Sequence, residues 1–484
     1  MKKIIVSKLF LYRHRFVIGY VVLMLAFVLL LFTLPLIAQD GLSGAEMESA
    51  TRSYHLSMSE PFDGSLVDLP YHALQKASIN IFGLTPYAIK LPSVIIGLIF
   101  GMLLILLLNR WFKNNVSLLS SCLVVLSTPF LFLAGSGTPL IMLVFWPTLL
   151  LWLGSKIQGE KRPKPMYSFL FAIGMAMALF TPYMVYFAIF CVIFVALQPH
   201  LRFVVKSLPH LPLIFTGIII LAGIAAIILN IINQPSVIME LLAHKDYGIT
   251  DFIPNIITGF TPVFQWFGES NTIFLAPLIG LPILALALTG LFSTTKGFFA
   301  SRNSIASLLI LFGIIITGLN PSAVIFLVLP LSILVAHGLK YLLEKWYGLF
   351  PENPYARVSA LFPLIILFGF VIIPGLLQYI NGYHYNSSVA SQFDYSLDII
   401  RHTLTDETLV AEENYDFYKI LEDTGGLKVV ENVKSAETEK VAILKTQTSN
   451  ANYVLSQIIT SPMKENSDII YLYTVKENTN GTND

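Results

Sequence analysis

The sequence predicts an α-helical polytopic membrane protein of about 11 spans with a small α/β domain at its C-terminal end. Three observations carry this. The 484 residues are 55% hydrophobic and only 12% charged, about half the charged share of a soluble domain. Mean hydropathy is +0.72, concentrated in long runs that do not alternate apolar and polar residues. Such runs are helices, because a helix satisfies its own backbone in lipid, whereas barrel strands would alternate. Beyond about Gly382 the composition turns polar and the apolar runs become short.

The N-terminal stretch MKKIIVSKLFLYRHRF is basic and leads into an apolar run with no small-residue cleavage site, so it reads as an uncleaved first span. The expected spans are 16–38, 88–108, 116–133, 139–154, 166–181, 183–198, 211–232, 272–293, 303–318, 322–339 and 359–380. Lys and Arg set the orientation. With the N-terminus in the cytoplasm, eighteen of them fall in cytoplasmic segments. Only four, Arg52, Lys76, Lys90 and Lys245, fall in the outer loops before the last span. That places loops 39–87 and 233–271, and the tail, outside the cytoplasm. The domain division is 1–381 for the membrane part and 382–484 for the outer domain.

Loop 39–87 is the first long polar interval and is too long for a turn. It holds Asp40, Glu46, Glu48, Glu60, Asp63 and Asp68 beside Arg52, His55, His72 and Lys76. Loop 233–271 is half apolar, and its segments 237–243 and 253–267 suit the membrane interface. The tail reads as helix 391–404, strand 408–411, helix 415–423, strand 427–430, strand 440–445, helix 451–459 and strand 468–475. This is the order of a two-layer α/β unit.

Several functions are excluded or weakened. A net charge of +1 gives no electrostatic case for nucleic acid. Cys122 and Cys191 lie inside apolar runs, which leaves no disulfide framework or zinc cluster. No phosphate-binding glycine loop, HExxH, CxxC or GxSxG occurs. The spans are nearly free of charge, which argues against an ion-coupled transporter. The charges gather on the outer face, a pattern that fits chemistry on a lipid-linked substrate.

The order of phrases then resembles a known family. A basic N-terminus and one span lead to an outer loop with an acid near its start. Leu69-Pro70-Tyr71, IFGLTPYAIKLPSVIIG (81–97) and NPSAVIFLVLPLSILVAHGLKYL (320–342) follow. This outline is similar to the C-type (GT-C) glycosyltransferase superfamily, in the branch of protein O-mannosyltransferases and aminoarabinose transferases. The resemblance covers about residues 1–380 and leaves the tail outside the shared core. It implies a GT-C-like helical bundle and an enzyme that takes a sugar from a polyprenyl-phosphate donor. The acceptor would be a protein, lipid or cell-envelope glycan at the membrane. The family's acidic pair reads Ala45-Glu46 here, and AGSGTPL (134–140) lacks the further acid that family members often carry. These departures support an alternative: an inactive relative that scaffolds cell-envelope assembly.

The chemistry needs a carboxylate to take the acceptor proton and cations to stabilise the departing phosphate. The resemblance implies Glu46 as base, with Asp40 and Glu48 as nearby substitutes. Glu46 also sits three residues after Ser43, the spacing of a capping box. Lys90 stands where the family has Arg and is the expected phosphate ligand, or else an interfacial anchor. Arg52 and His55 share a helix face, with Arg52 also at pairing distance from Glu48. His72 is the fourth expected phosphate ligand. His244, Lys245 and Asp246 form a charged group expected to touch donor or acceptor. No dedicated metal-ligand set is present; a divalent metal would sit beside the acidic loop.

Overall fold

Among the described residues the long apolar runs form helices, and prolines decide where two of them bend. The computed structural model describes residues 14, 18, 21, 24–33, 41–56, 65–159, 165–242, 251–265, 279–295, 301–349, 359, 361–404, 407–432, 440–445, 453–460 and 469–475. In order, the elements of the first half are α1 (Met24–Thr33), β1 (Leu42–Ser43), α2 (Gly44–His55), α3 (Leu69–Phe82), α4 (Pro86–Trp111), α5 (Asn114–Val125), α6 (Thr128–Gly135), α7 (Met142–Gly159) and α8 (Pro165–Ala178). Then come α9 (Met184–Leu197), α10 (Pro199–Ser207), α11 (His210–Asn233), α12 (Ser236–Leu241), α13 (Phe252–Phe264), α14 (Leu281–Thr295), α15 (Ser301–Leu319), α16 (Val328–Leu349) and α17 (Leu361–Tyr385).

Among the described residues, 6 helices are long and apolar enough to cross a membrane, or up to 8 if each bent pair counts as one span. The expected spans 166–181 and 272–293 appear as the shorter helices α8 and α14. The expected span 116–133 is broken by 67° between α5 and α6, where Pro129 enters the first turn of α6. After α9 the chain turns by 98° into α10, which opens on Pro199. Proline is tolerated in a first helical turn but cannot continue the preceding helix's hydrogen bonds. α14 and α16 cross where Gly290 meets the Leu334 carbonyl and Gly338 meets the Leu286 carbonyl; a Cβ on either glycine would collide with backbone. Small residues at such crossings let helices pack closely in lipid.

The tail opens on β2 (Phe393–Asp394), which pairs outside the main sheet, and continues as a five-stranded sheet packed with two helices: α18 (Ser396–Thr403), β3 (Thr408–Val410), α19 (Tyr415–Gly425), β4 (Val429–Val430), β5 (Lys440–Leu444), β6 (Tyr453–Ile459) and β7 (Ile470–Val475). The sheet order is β4-β3-β5-β7-β6, with β3 parallel to β4 and β5, and β7 antiparallel to β5 and β6. The expected helix 451–459 is therefore a strand. Tyr453, Val454, Ile458 and Ile459 favour a pleated surface, and pairing from Tyr453↔Val475 to Ile459↔Ile470 fixes it as the edge strand.

The tail is stitched to the first polar loop. β1 pairs antiparallel with β2 through Leu42↔Asp394 and Ser43↔Phe393. Leu42, Met47 and Ala50 share one apolar cluster with Leu397, Ile400, Phe417, Tyr418 and Leu421. Tyr54 Oη donates to Asp423 Oδ2 at 2.9 Å. α2 is thus a platform between the bundle and the sheet. At the opposite end of the bundle, Arg110 donates to the Ser155 carbonyl at 3.2 Å and Arg302 to the Trp111 carbonyl at 3.1 Å. An apolar cavity of ≈ 380 Å³ lies there, lined among others by Leu150, Phe171, Phe190, Phe194, Leu201 and Arg302.

Candidate active site

α2 starts on the capping box that its sequence spells. Ser43 Oγ accepts from the Glu46 N–H at 3.4 Å, and Glu46 Oε2 accepts from the Ser43 N–H at 2.8 Å and from Ser43 Oγ at 3.2 Å. The second carboxylate oxygen has a distant use. Glu46 Oε1 accepts from the Gly137 N–H at 2.6 Å, with Lys90 Nζ 4.0 Å away. Gly137 can approach so closely because it lacks a Cβ, which would stand 2.7 Å from Ile89 Cγ2. Lys90 donates to the Gly41 carbonyl at 2.7 Å. Glu46 and Lys90 are each 1% exposed. Lys76 closes the other end of α2, donating to the Tyr54 and Leu56 carbonyls. Two lysines therefore fix the two ends of one helix.

Between those ends, Ser49 and Ser53 lie one turn apart and face Gln75 on α3. Ser49 Oγ donates to Gln75 Oε1 at 2.9 Å, and Ser53 Oγ to the same oxygen at 2.6 Å. The Gln75 amide nitrogen donates to the Ile89 and Gly137 carbonyls, both at 2.9 Å. Ser53 Oγ is 2.7 Å from His72 Nδ1.

A second polar group forms where α3 begins. Asp68, its N-cap, has φ 53° and makes no side-chain cap bond. Left-handed backbone is uncommon outside glycine and is worth explaining where it occurs. The Asp68 N–H donates to the Phe180 carbonyl at 2.8 Å, and the Tyr183 N–H (φ 66°) to the Leu241 carbonyl at 3.2 Å. Two strained residues thus meet where loop 65–68, the turn after α8, and α12 converge. The Asp68 carboxyl is buried and bonded to Thr181, with Oδ1 lacking a partner among the described residues. Trp146 Nε1 in turn donates to Thr181 Oγ1 at 3.1 Å. Burial pushes the Asp68 carboxyl up to about 8, with Thr181 and Arg52 opposing and Glu240 adding to the shift.

Arg52 crosses this group. Its guanidinium bonds Glu48 Oε1 at 2.9 Å and Glu240 Oε2 at 3.4 Å, and its side chain remains 38% exposed. Ser65 Oγ also reaches Glu240 Oε2, at 3.5 Å. Burial, with the nearby Arg52 charge, lowers the His72 imidazole to about 4. His55 lies apart, exposed, edge-on to the Tyr54 ring at 5.8 Å.

Of the residues expected from sequence, Arg52 and His72 come together, and Glu46 and Lys90 come together in a separate, closed interior group. Asp40, His244, Lys245 and Asp246 lie outside the described residues. Among the described residues, no three His, Cys, Asp or Glu side chains converge as metal ligands. Sequence reasoning gave no role to Asp68, Glu240, Ser53 or Gln75. The one local signal was an acid two residues before Pro70, at the start of a helix.

Structures of other proteins share this arrangement of helices and sheet. ArnT from Cupriavidus metallidurans bound to undecaprenyl phosphate superposes with a TM-score of 0.59 at 11% identity, over 96% of this chain and 99% of that one. The chain has the GT-C glycosyltransferase fold. The apo form of the same ArnT gives a TM-score of 0.56 at 12% identity, over 95% and 98% of the two chains. The Archaeoglobus fulgidus oligosaccharyltransferase tethered with an acceptor peptide gives 0.51 at 11% identity, over 85% of this chain and 64% of that one. The family model for dolichyl-phosphate-mannose-protein mannosyltransferase matches residues 70–226. No curated protein matches by sequence. The ArnT superposition over 96% of this chain extends past residue 380 into the C-terminal sheet.

Proposed function

We propose that this protein is a membrane glycosyltransferase that moves a sugar from a polyprenyl-phosphate donor to a hydroxyl acceptor. The reaction takes place where α2, α3 and α12 meet. The observation that carries the reading is the end-to-end likeness to ArnT, a structure whose bound ligand is undecaprenyl phosphate. The segments at this end are those that the Lys and Arg distribution assigns to the outside, so donor and acceptor meet on the extracytoplasmic face.

The roles follow from the geometry. The acceptor oxygen attacks the anomeric carbon, its proton passes to a carboxylate, and the sugar–phosphate C–O bond breaks to release the lipid phosphate. A single direct attack inverts the anomeric centre. Asp68 is the proton acceptor, since burial pushes its carboxyl up to about 8, near neutral pH, where a general base works best. Arg52 faces the leaving phosphate, with His55 on the exposed side of the same helix. Glu46, whose two oxygens are already bonded, anchors α2. The acceptor is a protein, a lipid or an envelope glycan, placed against the C-terminal sheet that α2 joins to the bundle.

The scaffold alternative draws on Ala45 and on the acid-free 134–140 loop. It expects no clustered carboxylate and cation at this end, whereas Arg52, Glu48, Glu240 and Asp68 form one. The deciding experiment is turnover of a panel of undecaprenyl-phosphate-linked hexoses and pentoses by the purified protein in detergent. The expected result is release of undecaprenyl phosphate with at least one donor. Binding of donors without release from any of them would favour the scaffold.

A further inference from the structure

Gln75, Ser53 and His72 form a hydrogen-bond chain in which each proton position is dictated by the group before it. Both amide protons of Gln75 are committed to carbonyls, those of Ile89 and Gly137 at 2.9 Å. A carbonyl only accepts, so the Gln75 nitrogen must face these two and Oε1 must face the serines. Ser53 carries one hydroxyl proton and has three close neighbours: Gln75 Oε1 at 2.6 Å, the Ser49 carbonyl at 2.8 Å and His72 Nδ1 at 2.7 Å. The first two are acceptors only, and the Ser53 proton belongs to them. If Nδ1 also lacked a proton, two lone-pair contacts would stand bare below 3 Å inside a buried network, which costs far more than a formed bond returns.

We infer that His72 is held as its Nδ1–H tautomer, set by Gln75 through Ser53, and that it offers the Nε2 lone pair to a hydroxyl of the bound sugar or acceptor. The second half rests on the proposed glycosyl transfer; the first does not. Nδ1 is the ring nitrogen held against Ser53, so Nε2 is the nitrogen left to face a ligand, and His72 keeps 5% of its surface open. Burial and the neighbouring Arg52 keep the ring neutral at physiological pH, so Nε2 accepts and does not donate. His72 thus cannot serve as an Nε2–H donor to phosphate, the role its sequence position suggests. Sugars present many hydroxyl donors, and an acceptor fixed in one tautomer discriminates by donor position. Ser53 and Gln75 are positioning residues, because they act only through His72.

The test is nitrogen NMR of the full-length protein, labelled at its nine histidines, in detergent. The His72 signals are assigned as those lost in His72→Gln or, should that variant fold poorly, His72→Asn. The expected spectrum shows a protonated Nδ1 and a bare Nε2. In Ser53→Ala the tautomer preference is expected to relax toward Nε2–H. A wild-type Nε2–H, or an unchanged tautomer in Ser53→Ala, overturns the relay, and neither readout requires turnover. For the ligand half, His72→Gln keeps an acceptor oxygen near the Nε2 position, and His72→Asn does not reach it. With whichever undecaprenyl-phosphate sugar turns over, His72→Asn is expected to raise KM about tenfold, the size of one neutral hydrogen bond. His72→Gln should stay within about threefold. Equal KM values in the two variants would overturn the ligand half. Absence of turnover in wild type with every donor would overturn it along with the proposed function, while the tautomer readout would still stand.

Discussion

Two polar groups sit about one helix apart in the same loop and differ in one respect. Around Glu46 both carboxylate oxygens accept, Lys90 donates to Gly41, and both residues are 1% exposed. Around Asp68 the valences are left over. Its Oδ1 has no partner among the described residues, its backbone is left-handed, and the adjoining Arg52 is shared between two carboxylates while still 38% exposed. A saturated group holds a structure together, because any change leaves a buried atom unmet. An unsaturated, strained group is where the proposed function places its ligand. The presence of an acid and a base in a loop is thus a poor guide to chemistry, and the occupancy of their atoms is a better one.

The largest expected effect tests the closed group. Glu46→Ala leaves Lys90 buried without its counter-charge and the Gly137 N–H unmet. Loss of one partner of a buried pair costs about 3–5 kcal/mol. The variant should melt well below wild type in detergent, or fail to accumulate. Glu46→Gln fills the same space and keeps one acceptor oxygen but not the charge, so it should recover only part of that stability, while the protein that folds should keep turnover. A fully stable Glu46→Gln with no turnover would return the base to Glu46 and collapse the contrast.

The sequence made one of these two groups half legible. The Ser43-x-x-Glu46 spacing announced the capping box, since that bond spans three residues. It could not announce Gly137, which is 91 positions away, nor that Lys90 would turn to Gly41 before any phosphate. The spans were legible because hydropathy is a local property, although α5–α6 and α9–α10 bend where proline enters. Residues 453–459 were misread because YVLSQII fits a short helix as well as a strand, and only pairing with β7 decides. Asp68 and Glu240 were in view as loop charges. Their meeting depends on α12 folding back over α2, a tertiary fact with no local signature.

The next effect tests the open group. Asp68→Asn is nearly isosteric and removes the titrating carboxyl group. The proton acceptor would be lost, and kcat should fall by about 10² to 10⁴. Stability should move the other way. Folding raises the Asp68 carboxyl from 3.8 to about 8, so the folded state binds a proton that the unfolded state releases. The associated stability is complete below pH 4 and is lost as pH rises through about 8. Asparagine carries no such penalty. Melting curves at pH 8.5 should therefore place Asp68→Asn above wild type, with the gap closing at pH 4 to 5. A variant that loses turnover and also melts lower at pH 8.5 would make Asp68 a structural residue like Glu46.

The smallest effect sharpens where the open group faces its ligand. Arg52 is half exposed, so its pairs with Glu48 and Glu240 contribute little to stability. Arg52→Ala should leave the melting temperature within a few degrees of wild type. A leaving phosphate, in contrast, would form a charge-assisted bond to the guanidinium worth about 1.5–3 kcal/mol, or roughly 10- to 100-fold. That loss should appear against the lipid-linked donor and shrink as salt rises, because an exposed charge is screened. Arg52→Lys keeps the charge but not the fork that spans Glu48 and Glu240, and should fall between the two. If Arg52→Ala changes stability and leaves donor kinetics untouched, the guanidinium only ties α2 to α12. The phosphate site would then lie elsewhere along this face.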